Sequence, residues 1–320
     1  MRNVTKSIIA AALMGIPAWA LSQGYPVKPI RVVATSPTGN AGDTAMRLIS
    51  PSVSAALGQS LLIENRPQGL GQPAMAFVKE AAPDGYTLLH ASVSNITWAP
   101  YLSKELRTNT MKDFIPVAKL IDFPNLVTVG TSVPANNLAE FLEQAKRNPG
   151  KLTYGSTGLG AGFEFFPEAL GLNMVNVPYA GQSVGQTVND LAAGRIDALF
   201  YSYASVAPVL QSGRVKVLAQ ISRARIKLLA EVPTVYETLP EFAMGPAWFA
   251  LFGPAGMPAP VVQRLHGEVS RALVDPQVMG KLEAVGTIPA RGGIEDFARE
   301  VRRDYEVFGR LAKALNLQPK

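Results

Sequence analysis

Ile30-Arg-Val-Val-Ala34, then Thr35-Ser-Pro-Thr-Gly-Asn-Ala-Gly-Asp43, then residues 43–57: these three adjoining pieces decide the fold. The first is a short β-branched run that reads as a strand. The second is a turn of small polar residues. The third carries Ala45, Leu48, Ile49, Val53, Ala56 and Leu57 at helical spacing on one face. The pattern then repeats. Ser60-Leu-Leu-Ile63 reads as a strand and 73–82 as a helix, with Pro73 where a first turn tolerates it. Tyr86-Thr-Leu-Leu-His90 reads as a third strand. Such alternation predicts a parallel sheet with helices on its faces, the α/β class.

Further along, the same rhythm restarts. Leu126-Val-Thr-Val129, Leu152-Thr-Tyr154, Val175-Asn-Val177, Ala198-Leu-Phe200 and 215–219 read as strands. Helices over 138–147, 162–170 and 183–193 separate them. Trp248-Phe-Ala-Leu-Phe252 leads into three helices with no strand between: 260–274, one capped by Asp275-Pro276 and running to about 285, and 294–315. The expectation is two α/β lobes. Residues 21–123 begin lobe 1, 124–250 form lobe 2, and 251–320 supply helices that complete lobe 1. Crossings near 120–126 and 245–255 would hinge the lobes around a ligand cleft.

Composition removes much chemistry. The 320 residues contain no cysteine and two histidines, His90 and His266. Disulfide frameworks, thiol nucleophiles, iron–sulfur clusters and multi-histidine metal sites are excluded, and no cofactor is expected. Arg2 and Lys6 precede an apolar run of about a dozen residues, too short for a bilayer span, that ends in Ala18-Trp19-Ala20. Residues 1–20 therefore read as an export signal cleaved near Ala20. Its loss lowers the formal charge from +6 to +4. No basic stripe interleaved with aromatics is present, so nucleic acid is not expected as a partner.

Ligands of open sheets sit beyond the carboxyl ends of the strands. The loops there, 35–43, 91–95, 155–162 and 178–183, are rich in Gly, Ser, Thr and Asn. Glycine admits close backbone approach, and the first amides of a helix are unpaired and partly positive. Several such starts facing one cleft would hold a carboxylate without arginine. Two competing motifs are weaker. Gly181-Gln-Ser183-Val-Gly185 matches a nucleophile elbow and would make a secreted serine esterase using Ser183, with His266 as the available base. Gly69-Leu-Gly71-Gln-Pro-Ala74 resembles a dinucleotide fingerprint but lacks the acidic residue about 20 positions on. His90 reads as a satisfied buried or rim histidine.

At these loops the sequence resembles the substrate-binding proteins of tripartite tricarboxylate transporters, also called Bug receptors. The resemblance rests on Tyr25-Pro-Val-Lys-Pro-Ile-Arg31, Leu57-Gly-Gln, Ile63-Glu-Asn-Arg-Pro67, Ala82-Pro-Asp-Gly-Tyr-Thr-Leu-Leu89 and Lys112-Asp-Phe-Ile-Pro-Val117. It continues through Asn148-Pro-Gly-Lys-Leu-Thr-Tyr-Gly-Ser156, Val177-Pro-Tyr179, Glu231-Val-Pro-Thr234 and Phe252-Gly-Pro-Ala-Gly-Met-Pro258. It implies a fold like the type 2 periplasmic binding proteins, with two lobes closing on a small carboxylate. It also implies delivery to the membrane components of a transporter, by a periplasmic protein expected to be a monomer.

The family's ligand loops fall on 36–43, 92–95, 156–164, 179–183 and 201–202. The candidate ligand residues are Ser36, Thr38, Gly39, Ser92, Ser94, Asn95, Ser156, Thr157, Gly158, Phe163, Gln182, Tyr201 and Ser202. Departures from the family pattern are Gly39-Asn40 for a Gly pair, Ala161 and Glu164 for Ser and His, and Phe200-Tyr201-Ser202 for Phe-Asp-Asn. The last removes an acid suited to an amino group, so an amino-acid ligand is disfavoured. Tyr201, Tyr203, Phe163 and Trp248 could form flat apolar walls for an aromatic acid. An aliphatic dicarboxylate stays open. Asp43 is expected to cap its helix.

Overall fold

The computed structural model describes residues 24–104, 106–156, 165–179 and 184–317. The expected leader, 1–20, and the candidates Thr157, Gly158, Phe163, Gln182 and Ser183 lie outside the described residues. Along the chain the strands are β1 (Ile30–Ala34), β2 (Leu61–Asn65), β3 (Thr87–Ser92), β4 (Phe114–Asp122), β5 (Asn125–Gly130) and β6 (Thr153–Ser156). Then come β7 (Val175–Pro178), β8 (Ala198–Ser202), β9 (Val215–Ile221), β10 (Trp248–Pro254) and β11 (Ile288–Pro289). They form two sheets, ordered β11-β4-β10-β3-β1-β2 and β7-β6-β8-β5-β9.

Both sheets follow one plan. Three strands pair in parallel, β2-β1-β3 in the first sheet and β7-β6-β8 in the second. Next to each trio lies an antiparallel strand, β10 or β5, and beyond it β4 or β9. The sheets are mixed, where helical alternation alone predicts parallel ones. The reason is topological. β5 enters straight from β4 of the first sheet, and β10 returns from the second, so neither direction is set by a helical crossover. β4 is also invisible to a simple reading because it contains Pro116. That proline faces Phe252 at a register shift, where a missing N–H is tolerated.

Strands buried on both faces read as apolar runs, and Val32–Ala34 of β1 are such a run, with Arg31 exposed at the start of the strand. Val33, Leu89 and Ala91 pack with Ala74, Met75 and Val78 of the Gln68–Lys79 helix. On the other face, Ile30, Val32 and Leu88 meet Ala45, Met46 and Ile49 of the Ala41–Leu57 helix. Val261, Leu265 and Val269 of the Ala259–Val274 helix close that layer, as their spacing predicts. The Ala41–Leu57 helix stops at Gly58, whose φ of 68° is the left-handed turn favouring glycine.

The two crossings are fastened to each other and to the Ile294–Ala314 helix. Phe123 N–H donates to the Ala247 carbonyl at 2.9 Å, and Trp248 pairs in register with Asp122. The Trp248 indole donates to Asp304 at 2.9 Å, and Arg303 reaches the same carboxylate. Lys119 lies 2.6 Å from Asp122 and 2.9 Å from Glu300. Burial pushes the Asp122 carboxyl up to about 6, although Lys119 pulls the other way. Charges taken out of water are tolerable only when paired in this way.

Gly42 lies inside a helix, not in a ligand loop, and packing dictates it. A Cβ there would sit 2.5 Å from the Phe249 ring, which tilts against Phe123 of the crossing. Gly42→Ala is therefore expected to overpack the joint, costing roughly 1–3 kcal/mol. Thermal unfolding checks this: a drop of several degrees is expected, and an unchanged Tm would mean that Phe249 yields freely.

Candidate ligand-binding site

β1 and β3 lie side by side, so the loops after them emerge together. Thr35 N–H donates to the His90 carbonyl at 2.9 Å, keeping the first loop on the second. One atom then joins them. Asn95 Oδ1 accepts from Thr35 Oγ1 at 2.7 Å, Ser92 Oγ at 2.7 Å and Ser92 N–H at 3.0 Å. The hydroxyls of Ser92 and Ser94 are 3.0 Å apart. Ser94–Trp98 is a π-helical turn, a feature concentrated at functional positions and not foreseen in the loop reading of 91–95. Its carbonyls are served by side chains: Thr110 Oγ1 donates to the Ile96 carbonyl at 2.6 Å.

Ser36 is buried at the end of β1, and among the described residues its hydroxyl has no partner. Thr38 and Gly39 are exposed at the loop tip. The Gly39 N–H is already occupied, donating to Asp43 Oδ2 at 2.8 Å. The helix is capped by Asn40, whose Oδ1 accepts from the Asp43 N–H at 2.9 Å. Asp43 instead braces the loop from within, and that corrects the capping role expected of it. Its carboxylate also accepts from Arg47 Nε at 2.9 Å and Asn65 Nδ2 at 2.8 Å. Asn65 Nδ2 reaches the Ser36 carbonyl too, at 3.0 Å. Asn65 and Arg47 were absent from the sequence candidates. The signal for Asn65 lay in the Ile63–Pro67 segment, at the end of the strand beside β1.

Beneath this loop His90 is fully buried and stacked on Phe249, with centroids 5.4 Å apart. Its ring nitrogens have no partner among the described residues, so it is buried but not satisfied. Burial pushes its pKa down to about 4, against the attraction of Asp43. The imidazole is neutral at ordinary pH.

On the second sheet, Ser156 ends β6 and donates to Asn176 Oδ1 at 2.8 Å, while its carbonyl accepts from Tyr179 N–H at 2.7 Å. The Tyr179 hydroxyl donates to Asp190 at 2.8 Å. That bond and Arg195 hold the Asp190 carboxyl below its ordinary range. Ser202, at the end of β8, pairs its hydroxyl with Ser205 at 3.0 Å. Tyr201 is enclosed among Leu126, Val188, Leu199 and Val206. Trp248 is fully buried against Phe252 and Phe297. Neither ring lies open to solvent. His266 is also engaged: Nδ1 donates to the Val117 carbonyl at 3.1 Å, and Nε2 then accepts from Ser270 at 3.3 Å. It packs on the first sheet, whereas the strand before Ser183 belongs to the second.

The family described as "Tripartite tricarboxylate transporter family receptor" matches residues 45–317. The chain belongs to that family. A UPF0065 protein from Bordetella pertussis is 30% identical over 99% of both chains. Among solved structures, Rpa4515 of R. palustris with adipate is 28% identical, with a TM-score of 0.74 over 92% of this chain and 100% of that one. MatC of Rhodopseudomonas palustris with bound malate is 29% identical, with a TM-score of 0.72 over 90% and 100%. The two-lobed periplasmic binding-protein fold agrees with the paired sheets described above.

In this tripartite tricarboxylate receptor, the first-sheet loops are thus braced by the protein's own hydrogen bonds. Asp43 is central to that bracing. Burial works to raise its carboxyl, but the bonds from Arg47, Gly39 and Asn65 outweigh burial and hold it below the usual value. A depressed carboxylate contributes stability above the unfolded pKa and loses it as pH falls through the folded one. Asp43→Asn is expected to cost about 1–3 kcal/mol at pH 7. The Tm difference from the wild type should shrink below roughly pH 4. An equal difference at pH 3 and pH 7 would contradict the assigned role.

Proposed function

We propose that this receptor captures a small organic acid between its lobes and delivers it to the membrane components of a tripartite tricarboxylate transporter. One observation carries the reading. The ends of β1 and β3 hold a welded cluster of hydroxyl and amide groups in which Ser36 keeps a buried hydroxyl with no protein partner among the described residues. A carboxylate oxygen would complete that hydroxyl, and hydrogen bonds to ionised groups are roughly twice as strong as neutral ones. The role is binding, not catalysis.

The ligand class follows from what the aromatics are doing. Tyr201 and Trp248 are engaged in core packing, which leaves the aromatic-wall reading without two of its rings. Adipate and malate in the two related structures are aliphatic dicarboxylates, and we infer the same class here. Export with cleavage near Ala20 and action as a monomer complete the proposal. Lobe 1 would comprise 21–123 and the C-terminal helices, joined by the whole of β10, with lobe 2 lying between.

A thermal-shift series with adipate, malate, benzoate and aspartate tests the ligand class, because a ligand bound only by the folded state raises Tm. Adipate or malate should give the largest rise. Silence for all four acids would remove the proposal. Ser36→Ala should leave the unliganded Tm unchanged yet weaken binding of the responding acid about tenfold, since no protein partner is lost. Ser92→Ala should lower both.

A further inference from the structure

Two adjacent phenylalanines serve opposite lobes. Phe166 is fully buried in its own lobe, 4.9 Å from Phe200 and 5.4 Å from Phe242 between ring centroids. Phe165 turns the other way. Its ring meets Trp98 edge-on at 6.0 Å and Phe308 at 5.4 Å. Trp98 and Phe308, both of the first lobe, stack on each other at 5.0 Å and 13°. Tyr101 leans on Phe308 from behind and meets Tyr305 at 5.2 Å. The second lobe thus inserts one ring into a prepared aromatic slot of the first. Edge-to-face contacts of this kind have a preferred geometry and hold orientation as well as distance.

The slot is joined to the ligand loop through covalent structure. Trp98 closes the π turn that opens with Ser94 and Asn95, so the residue welding the two loops and the residue gripping Phe165 share one turn. Trp98 and Phe308 also line one small pocket with the crossing residues Met244 and Gly245. The contact therefore stands beside the crossing about which the lobes would move.

We propose that Phe165 is an interlobe positioning residue: seated against Trp98 and Phe308, it fixes the angle between the lobes at which the Ser92–Asn95 loop can close on an acid. The proposal rests on the binding function above, but its first test needs no ligand. Phe165→Ala in the full mature chain should increase the radius of gyration in small-angle scattering and shift tryptophan emission, to which Trp98 and Trp248 both contribute, to the red. Phe165→Tyr, which keeps the ring, should restore both. A merely structural role in the second lobe would lower Tm without changing the radius of gyration, so scattering identical to wild type in Phe165→Ala overturns the proposal. With adipate as probe, Phe165→Ala should release it ~10-fold faster while association changes less than threefold, the pattern of a lost retaining contact. An unchanged release rate would also overturn it. If the wild type binds no adipate, the functional reading is what fails, and the ligand-free measurements still decide the role of Phe165.

Discussion

Strand β10 occupies the middle of the first sheet, and the chain reaches it only after building the second. That constraint governs the molecule. The first sheet cannot be completed locally, because the strand between β3 and β4 is more than a hundred residues away in sequence from either. Its arrival brings Trp248 onto Asp122 and Asp304, and Phe249 onto His90, Phe123 and Gly42. One strand therefore determines the crossing, supports the loop after β1 and seals the core beneath it. Long-range closure of this kind is slow relative to local contacts, so the first sheet should be completed after the second, whose strands all lie between Asn125 and Ile221.

Periodicity carried much of this information. The apolar stripe of 260–274 and the buried run of β1 follow directly from side-chain spacing. What spacing cannot report is direction across a sheet. Phe200 and Tyr201 are neighbours in β8 that face different cores, and nothing in their order says which face belongs to which cluster. Tyr201 consequently read as a possible ligand wall, as did Trp248, whose true partner is an aspartate 56 residues later. β4 escaped notice for a different reason, since Pro116 is a sound local argument against a strand and only the bulge opposite it removes the objection.

The site was legible as loops and illegible as bonds. Ser36, Ser92, Ser94 and Asn95 do gather at neighbouring strand ends. Yet most of their hydrogen-bonding capacity serves the protein itself. The Gly39 amide belongs to Asp43, the Asp43 amide to Asn40, and the Asn95 oxygen to three donors. Unpaired amides at the start of the Ala41–Leu57 helix are thus fewer than glycine content suggested. Stiffening of this sort reduces the entropy lost on binding, and a small number of uncommitted groups then suffices. Of the partners that provide it, Asn65 lies in the Ile63–Pro67 segment, whereas Arg47 belongs to no motif.

His90 supplies the last consequence. A ring sealed under the first loop and stripped of basicity stays uncharged there from mildly acidic to alkaline surroundings. Asp43 likewise stays ionised throughout that span. The guest's own ionisation, and not a titrating host on this side, would then govern how capture responds to acidity.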